Sequence, residues 1–335
     1  MGMDSNCDNT MVIPEVSEWG PMNIYEEALP DILTDVYHDL QTEYGSSNPV
    51  INAILEDIFT RHGKGVRPLF MALIARLGGG EWESLRKTAT VVEAIHIASL
   101  LHDDVIDSSK LRRGAATLNT MYSNKVSVLF GDYMFLKAIK SAESIENAEV
   151  MPILMDALER MVEGEIRDSL NSGSIDEEAY LSIISDKTAS LFAASGELGI
   201  ILLGGNERER IWARELGECV GMAFQIEDDI LDYRGDTRIM GKPNFMDIQT
   251  GCITLPLIYS LRDYDSSEVK NILSEGEHDA EVLFSVVKNN GGIDYASRRA
   301  CWYIDRSREI VARFEKPGLD DDFDQFFALV LDRHF

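Results

Sequence analysis

The residues of this chain best suited to chemistry are acidic and fall in two short clusters. His102-Asp103-Asp104-Val105-Ile106-Asp107 and Glu227-Asp228-Asp229-Ile230-Leu231-Asp232 each contain Asp-Asp-x-x-Asp, 125 positions apart. Both sit in apolar, helix-like sequence. Residues four apart share a helix face, so Asp103 with Asp107, and Asp228 with Asp232, each aim a carboxylate pair in one direction. Uncompensated carboxylates on apolar helices are costly. Two such faces opposite one another would collect divalent cations. Mg2+ is the natural occupant, because it binds through one or two carboxylates plus substrate phosphates.

The basic residues gather near the same places. Gly63-Lys64-Gly65-Val66-Arg67-Pro68 sets Lys64 and Arg67 just before a helix, and Arg112-Arg113-Gly114 follows the first acidic cluster. Lys187-Thr188 opens a predicted helix, and Gly241-Lys242-Pro243 follows the second cluster. Arg suits bidentate phosphate recognition, and Lys acts as a compact positive charge. Any one of these has an ordinary reading as a solvated surface cation, but as a set they flank acidic clusters or helix starts. His96 lies two turns before Asp103 and shares its face. Alone it reads as a core histidine; here it is placed to donate to a phosphate.

These residues need helices to position them. Apolar spacing predicts helices over 26–44, 66–77, 82–107, 126–144, 151–170, 187–203, 209–233, 253–262 and 293–314, with Gly- and Pro-rich punctuation between them. No clear run of period-two alternation appears. No Pro/Ser-rich linker divides the chain, which points to a single all-α domain over 23–335 behind a polar, acidic, disordered leader at 1–22. The long apolar segments 82–107 and 209–233 read as central helices of a bundle, where metal and cofactor sites form between facing helices.

Composition narrows the function classes. The 335 residues carry 58 acidic and 31 basic side chains, a formal net charge of −27. Nucleic acid is excluded as an expected partner, since it requires a basic footprint. An anionic substrate would meet general repulsion, so a phosphate site needs local cations or metal. The four cysteines form no CxxC pair, which argues against a zinc site or disulfide framework and for a reducing cytosol, hence a cytoplasmic protein. The N-terminal stretch lacks the basic and apolar regions of a signal peptide. The longest apolar runs are too short to span a bilayer.

With these motifs in hand, the chain resembles the trans-polyprenyl diphosphate synthases. The stretch 93–107 with Leu111-Arg112-Arg113-Gly114 resembles that family's first aspartate-rich motif, and 224–233 resembles the second. Gly131-Asp132-Tyr133, Glu163-Gly164-Glu165, Lys187-Thr188-Ala189 and Thr254-Leu255-Pro256-Leu257 also fall in family order. The resemblance covers about 25–315. It implies an all-α isoprenoid synthase bundle with a central apolar cavity, and a homodimer with a face of 126–139 in the interface. The implied activity is Mg2+-dependent condensation of isopentenyl diphosphate with an allylic diphosphate, with three Mg2+ per site.

Residue by residue, the resemblance implies that Asp103, Asp104, Asp107, Asp228 and Asp232 ligate metal. Arg112, Lys187, Thr188 and Lys242 contact the allylic diphosphate. Lys64, Arg67, His96 and Arg113 form the isopentenyl diphosphate site, and Gln225 lines the reaction centre. The implied catalytic set is Asp103, Asp104, Asp107, Lys187, Gln225 and Asp228. Two places depart from the family pattern: Phe245-Met246-Asp247 and Gly251-Cys252 stand where Gly-Asn-Asp and Gly-Lys are common. A cation expected near the second site is missing there.

Product length in the family is gauged just upstream of the first motif. Positions five and four before Asp103 are Ala98 and Ser99, both small, so the tunnel is expected to run deeper and yield C20 or longer. Val92, Ile95, Met134 and Phe135 are candidates for its floor; the plain alternative is that they are core residues. A terpene cyclase would share the fold and first motif, but its second motif usually has wider spacing and other residue types. A non-catalytic subunit tends to lose motif aspartates, and this chain keeps six.

Overall fold

A computed structural model describes residues 28–61, 63–112, 114–170, 176–234, 253–263 and 280–331. The expected leader at 1–22, together with Arg113, Lys242, Phe245, Met246, Asp247, Gly251 and Cys252, lies outside the described residues. The helices are α1 (Leu29–Glu43), α2 (Pro49–Thr60), α3 (Val66–Leu77), α4 (Trp82–Ile106), α5 (Leu118–Met121), α6 (Asn124–Glu143) and α7 (Val150–Leu170). They continue with α8 (Glu177–Ile184), α9 (Ser190–Leu202), α10 (Glu207–Arg234), α11 (Leu255–Leu261), α12 (Ala280–Asn289), α13 (Gly292–Ala312) and α14 (Leu319–Leu331). A five-residue π-helical turn, Ser185–Ala189, joins α8 to α9. Two-residue strands Leu111–Arg112 (β1) and Ala115–Ala116 (β2) pair antiparallel.

The two segments expected at the centre are there. α4 is buried almost continuously from Thr88 to Ala98, and α10 from Leu216 to Ala223 and again around its acidic motif. α9 packs on both and connects them. Its contact with α10 is close because each helix offers a glycine to the other's backbone. A Cβ on Gly196 would meet the Ala213 carbonyl oxygen at 2.1 Å, and one on Gly217 would meet that of Phe192 at 2.1 Å.

Several elements escaped the apolar pattern. Asn48-Pro49 reads as a break but is a helix start: Asn48 caps α2 by accepting from the Val50 amide, and Pro49 occupies the first turn. Asp176 caps α8 in the same way, through the Glu178 amide. α14 opens on Asp320, Asp321 and Asp322, which favour the positive end of the helix dipole. Its Phe326 stacks on Phe70 of α3 with ring centroids 5.7 Å apart. The β1–β2 hairpin is too short for alternation to show.

Overpacking a backbone-to-backbone contact costs about 1–3 kcal/mol. Gly217→Ala should therefore lower the denaturation midpoint by that equivalent. Gly45→Ala, whose Cβ would meet nothing closer than 3.5 Å, should stay within about 0.5 kcal/mol. Equilibrium chemical denaturation of the two variants checks the difference.

Candidate active site

The site is built around Lys187. Its Nζ lies 2.8 Å from Glu165 Oε2 and 2.7 Å from Asp168 Oδ2, both on α7. Burial disfavours the ammonium, but Asp168 and Glu165 outweigh it and raise the pKa. Lys187 stands inside the π-helical turn rather than at a helix start. π-helical insertions occur frequently at functional sites. The turn is seated directly on α7 because position 164 is glycine: a Cβ there would meet the Lys187 amide nitrogen at 2.5 Å.

The turn is held from several sides. Asp186 accepts from Arg160 Nε at 2.7 Å and is also bonded by Arg167. Ser185 is bonded to Glu218 of α10. Thr188 Oγ1 donates to Gln225 Oε1 at 2.6 Å. Three successive residues, Asp186, Lys187 and Thr188, are thus tied to different partners.

Both aspartate motifs reach this lysine cluster. Asp103 is half-buried, and burial, reinforced by Glu165 and opposed by Lys187, pushes its pKa up to about 7. Asp107 is exposed at the end of α4. On α10, Asp228 is half-buried while Asp229 and Asp232 are buried. Burial pushes Asp229 up, with the Asp228 and Asp168 charges adding to it. The order Asp103, Glu165, Lys187, Asp168, Asp229 is a continuous line of interacting charges from one motif to the other.

The second aspartate of each motif has its own partners. Arg112 Nε, on β1, donates to Asp104 Oδ1 at 2.8 Å, and the Asp104 side chain is 5% exposed. Asp229 accepts from Tyr180 Oη at 2.5 Å on one oxygen and from Gln225 Nε2 at 2.8 Å on the other. Neither contact was evident in the sequence; Glu165 was noted there only as part of Glu163-Gly164-Glu165, without a role, and Asp168 and Tyr180 were not singled out. The i,i+3 spacing of Glu165 and Asp168 on α7 was the available signal.

The remaining predicted positions lie around this centre. Arg67 is buried, its guanidinium carbon 4.6 Å from the ring centre of Phe192 and 5.5 Å from that of Phe224, the neighbour of Gln225. Lys64 is half-buried just before α3. His96 lines a pocket of about 80 Å³ together with Glu93, Asp104 and Arg112. Arg61 lines it too, bonded to Asp57 and to the Ala116 carbonyl of the hairpin. Among the product-length candidates, Val92, Ile95, Ala98 and Met134 are buried in the main core. Ser99 is half-buried and bonded to the His96 carbonyl. Phe135 packs on the His102 ring at 5.6 Å.

The fold is that of all-α isoprenoid synthases. A crystal structure of a polyprenyl synthase from Caulobacter crescentus, in complex with calcium and isoprenyl diphosphate, superposes with a TM-score of 0.86 at 29% identity, over 96% of this chain and 100% of that one. A decaprenyl diphosphate synthase from Rhodobacter capsulatus superposes with a TM-score of 0.84 at 31% identity, over 93% and 99%. In sequence, the octaprenyl diphosphate synthase of Haemophilus influenzae is 35% identical over 285 residues, 83% of this chain and 86% of that one. The family model for polyprenyl synthetase matches residues 48–289. The chain therefore belongs to the polyprenyl synthetase family and is a prenyltransferase that elongates prenyl chains.

Proposed function

We propose that this chain condenses isopentenyl diphosphate with an allylic diphosphate in a Mg2+-dependent reaction and makes products of C20 or longer. The observation that carries the reading is the charge line from Asp103 through Lys187 to Asp229. It gathers carboxylates from three helices, α4, α7 and α10, around one cation, which suits binding of metal-diphosphate rather than of a free anion.

The donor set fits Mg2+. Among the described residues no three acidic, His or Cys side chains converge closely enough to hold a metal by themselves. Mg2+ habitually completes its shell with substrate phosphates and water around one or two carboxylates. Asp103 and Asp107 on one side and Asp228 on the other would hold three Mg2+ between them together with diphosphate. Asp232, one turn on from Asp228 and on its face, would join that set, while Asp104, implied as a ligand too, is paired with Arg112. Bound Mg2+ would supply Lewis acidity that neutralises the leaving diphosphate.

The chain's own residues do the rest. Lys187 exchanges one carboxylate partner for the allylic diphosphate, with Arg112, oriented by Asp104, beside it. Lys64, Arg67 and His96 hold the second diphosphate. The allylic C–O bond breaks, and its electrons leave with diphosphate. The isopentenyl alkene attacks the resulting cation, and the proton lost afterwards passes to diphosphate. Oxygens of Thr188 and Gln225 face developing positive charge, while apolar walls exclude water. The small Ala98 and Ser99 leave the growing chain room to pass.

Two further proposals follow from exposure. Val128, Leu129 and Leu136 of α6 and Met155, Val162 and Ile166 of α7 are large exposed apolar residues. Clusters of that kind mark interaction surfaces, and a second copy of this chain is the occupant we propose. The four scattered cysteines, with no CxxC pair, suit a reducing compartment such as the cytoplasm. No helix among the described residues is long and apolar enough to cross a membrane.

Three measurements test these points. Labelled isopentenyl diphosphate with allylic starters should give products of C20 or longer only when Mg2+ is present, and Asp103→Asn should slow turnover about a hundredfold; no elongation with any starter sinks the synthase reading. Ser99→Phe should shorten the product, and an unchanged length would remove Ser99 from the tunnel. Leu136→Glu should shift a dimer toward monomer in sedimentation velocity, whereas a monomeric parent chain would rule the interface out.

A further inference from the structure

The second aspartate motif carries a largely buried hydrogen-bond chain of which the condensation itself uses only Gln225 and Thr188. It runs from Tyr180 on α8 to Asp229, from Asp229 to Gln225, and from Gln225 to Thr188 in the π-helical turn. The heavy-atom distances are 2.5, 2.8 and 2.6 Å. Tyr180 and Asp229 are each 6% exposed and Thr188 is 7% exposed.

With Asp229 ionised, the donors and acceptors along this chain permit one polarity. An ionised carboxylate only accepts, so the group of Gln225 that faces Asp229 must be its NH2. The Gln225 carbonyl then faces Thr188 and takes its hydroxyl proton. Thr188 keeps its oxygen lone pairs available next to Lys187. If the amide turned over, two oxygens would oppose each other at Asp229, and Thr188 would be left to accept a hydrogen bond rather than donate one. The direction in which Gln225 and Thr188 present charge therefore depends on where the Asp229 carboxylate stands. That carboxylate has two anchors, Gln225 on one oxygen and Tyr180 on the other. Only Tyr180 comes from a different helix.

We propose that Tyr180 is a positioning residue for the prenyl transfer: its hydroxyl holds Asp229, and through Asp229 it fixes the amide of Gln225 and the hydroxyl of Thr188 in the orientation that favours a developing cation. The proposal rests on the synthase reading above and adds a residue to it. Tyr180 itself touches no reacting atom. Its effect falls on the rate of the chemical step, because the charge it orients matters when the cation forms and little when the diphosphates bind.

The test is a kinetic cycle on the full-length protein with Mg2+, isopentenyl diphosphate and the best allylic starter. Tyr180→Phe should lower kcat about tenfold and leave the KM for each diphosphate within about twofold. In a Gln225→Ala background the same change should alter kcat by less than about twofold, since residues acting through one another are not additive. A buried tyrosine of purely structural importance would lower the melting temperature and leave kcat unchanged, which would overturn the proposal. An equal tenfold loss in the Gln225→Ala background would overturn it too, because Tyr180 would then act elsewhere. If Tyr180→Phe does not fold, Asp229→Asn examines the next link, with the same kcat loss and the same disappearance in the Gln225→Ala background expected. Wild-type protein run in parallel separates the two claims. An active wild type with an unaffected Tyr180→Phe rejects this inference alone; an inactive wild type rejects the synthase reading and this inference with it.

Discussion

One ammonium group between two carboxylates sets the terms for the rest of this molecule. Lys187 lies within 2.8 Å of both Glu165 and Asp168, and the two aspartate motifs feel that cluster from either side. Like charges gathered in a partly buried site oppose one another, and each cation nearby lowers the cost. Burial is the largest cause of the displacement of Asp103 to about 7, and Glu165 and Asp107 add to it against Lys187 and Arg112. A site with surplus carboxylate suits divalent cations and their diphosphate complexes, and it would reject bare diphosphate.

Keeping Lys187 there requires an irregular backbone, and much of the surrounding structure serves that need. A continuous α-helix from α8 into α9 would rotate Asp186, Lys187 and Thr188 differently. The π-helical turn instead ties them to α7, to the acidic pair and to α10 respectively. Gly164 lets α7 approach the turn's backbone, and Arg160 with Arg167 grips Asp186 from the same helix. Charged hydrogen bonds at partly buried sites contribute more than exposed ion pairs do, so this mount is held by its strongest available contacts.

The two aspartate motifs divide their labour alike. In each, one aspartate is half-buried: Asp103 on α4, beside the lysine cluster, and Asp228 on α10. The next residue, turned about 100° around the helix, is buried and bonded to neighbours: Asp104 to Arg112, and Asp229 to Tyr180 and Gln225. Adjacent carboxylates with one formula thus have different surroundings. The aspartates of one motif thus divide into half-buried or exposed carboxylates and a buried one held by its neighbours.

How much of this was legible beforehand depends on the range of each signal. The long helices, the facing pairs at Asp103/Asp107 and Asp228/Asp232, and the cations at Lys64, Arg67, Arg112 and Lys187 are local: residue type, helical period and motif order determine them. Helices α2, α8, α12 and α14 were not read, because their starts depend on caps, as at Asn48 and Asp176, or on packing, as for Phe326 on Phe70. The sequence by itself determined an all-α chain with two carboxylate clusters and the residues that can neutralise them. Tertiary structure alone decided which carboxylates are buried, that Lys187 sits in a π-helical turn against Glu165 and Asp168, and that Tyr180 donates to Asp229. Those choices depend on contacts between helices far apart in the chain, and a side chain's partner across a bundle leaves no mark in its own neighbourhood.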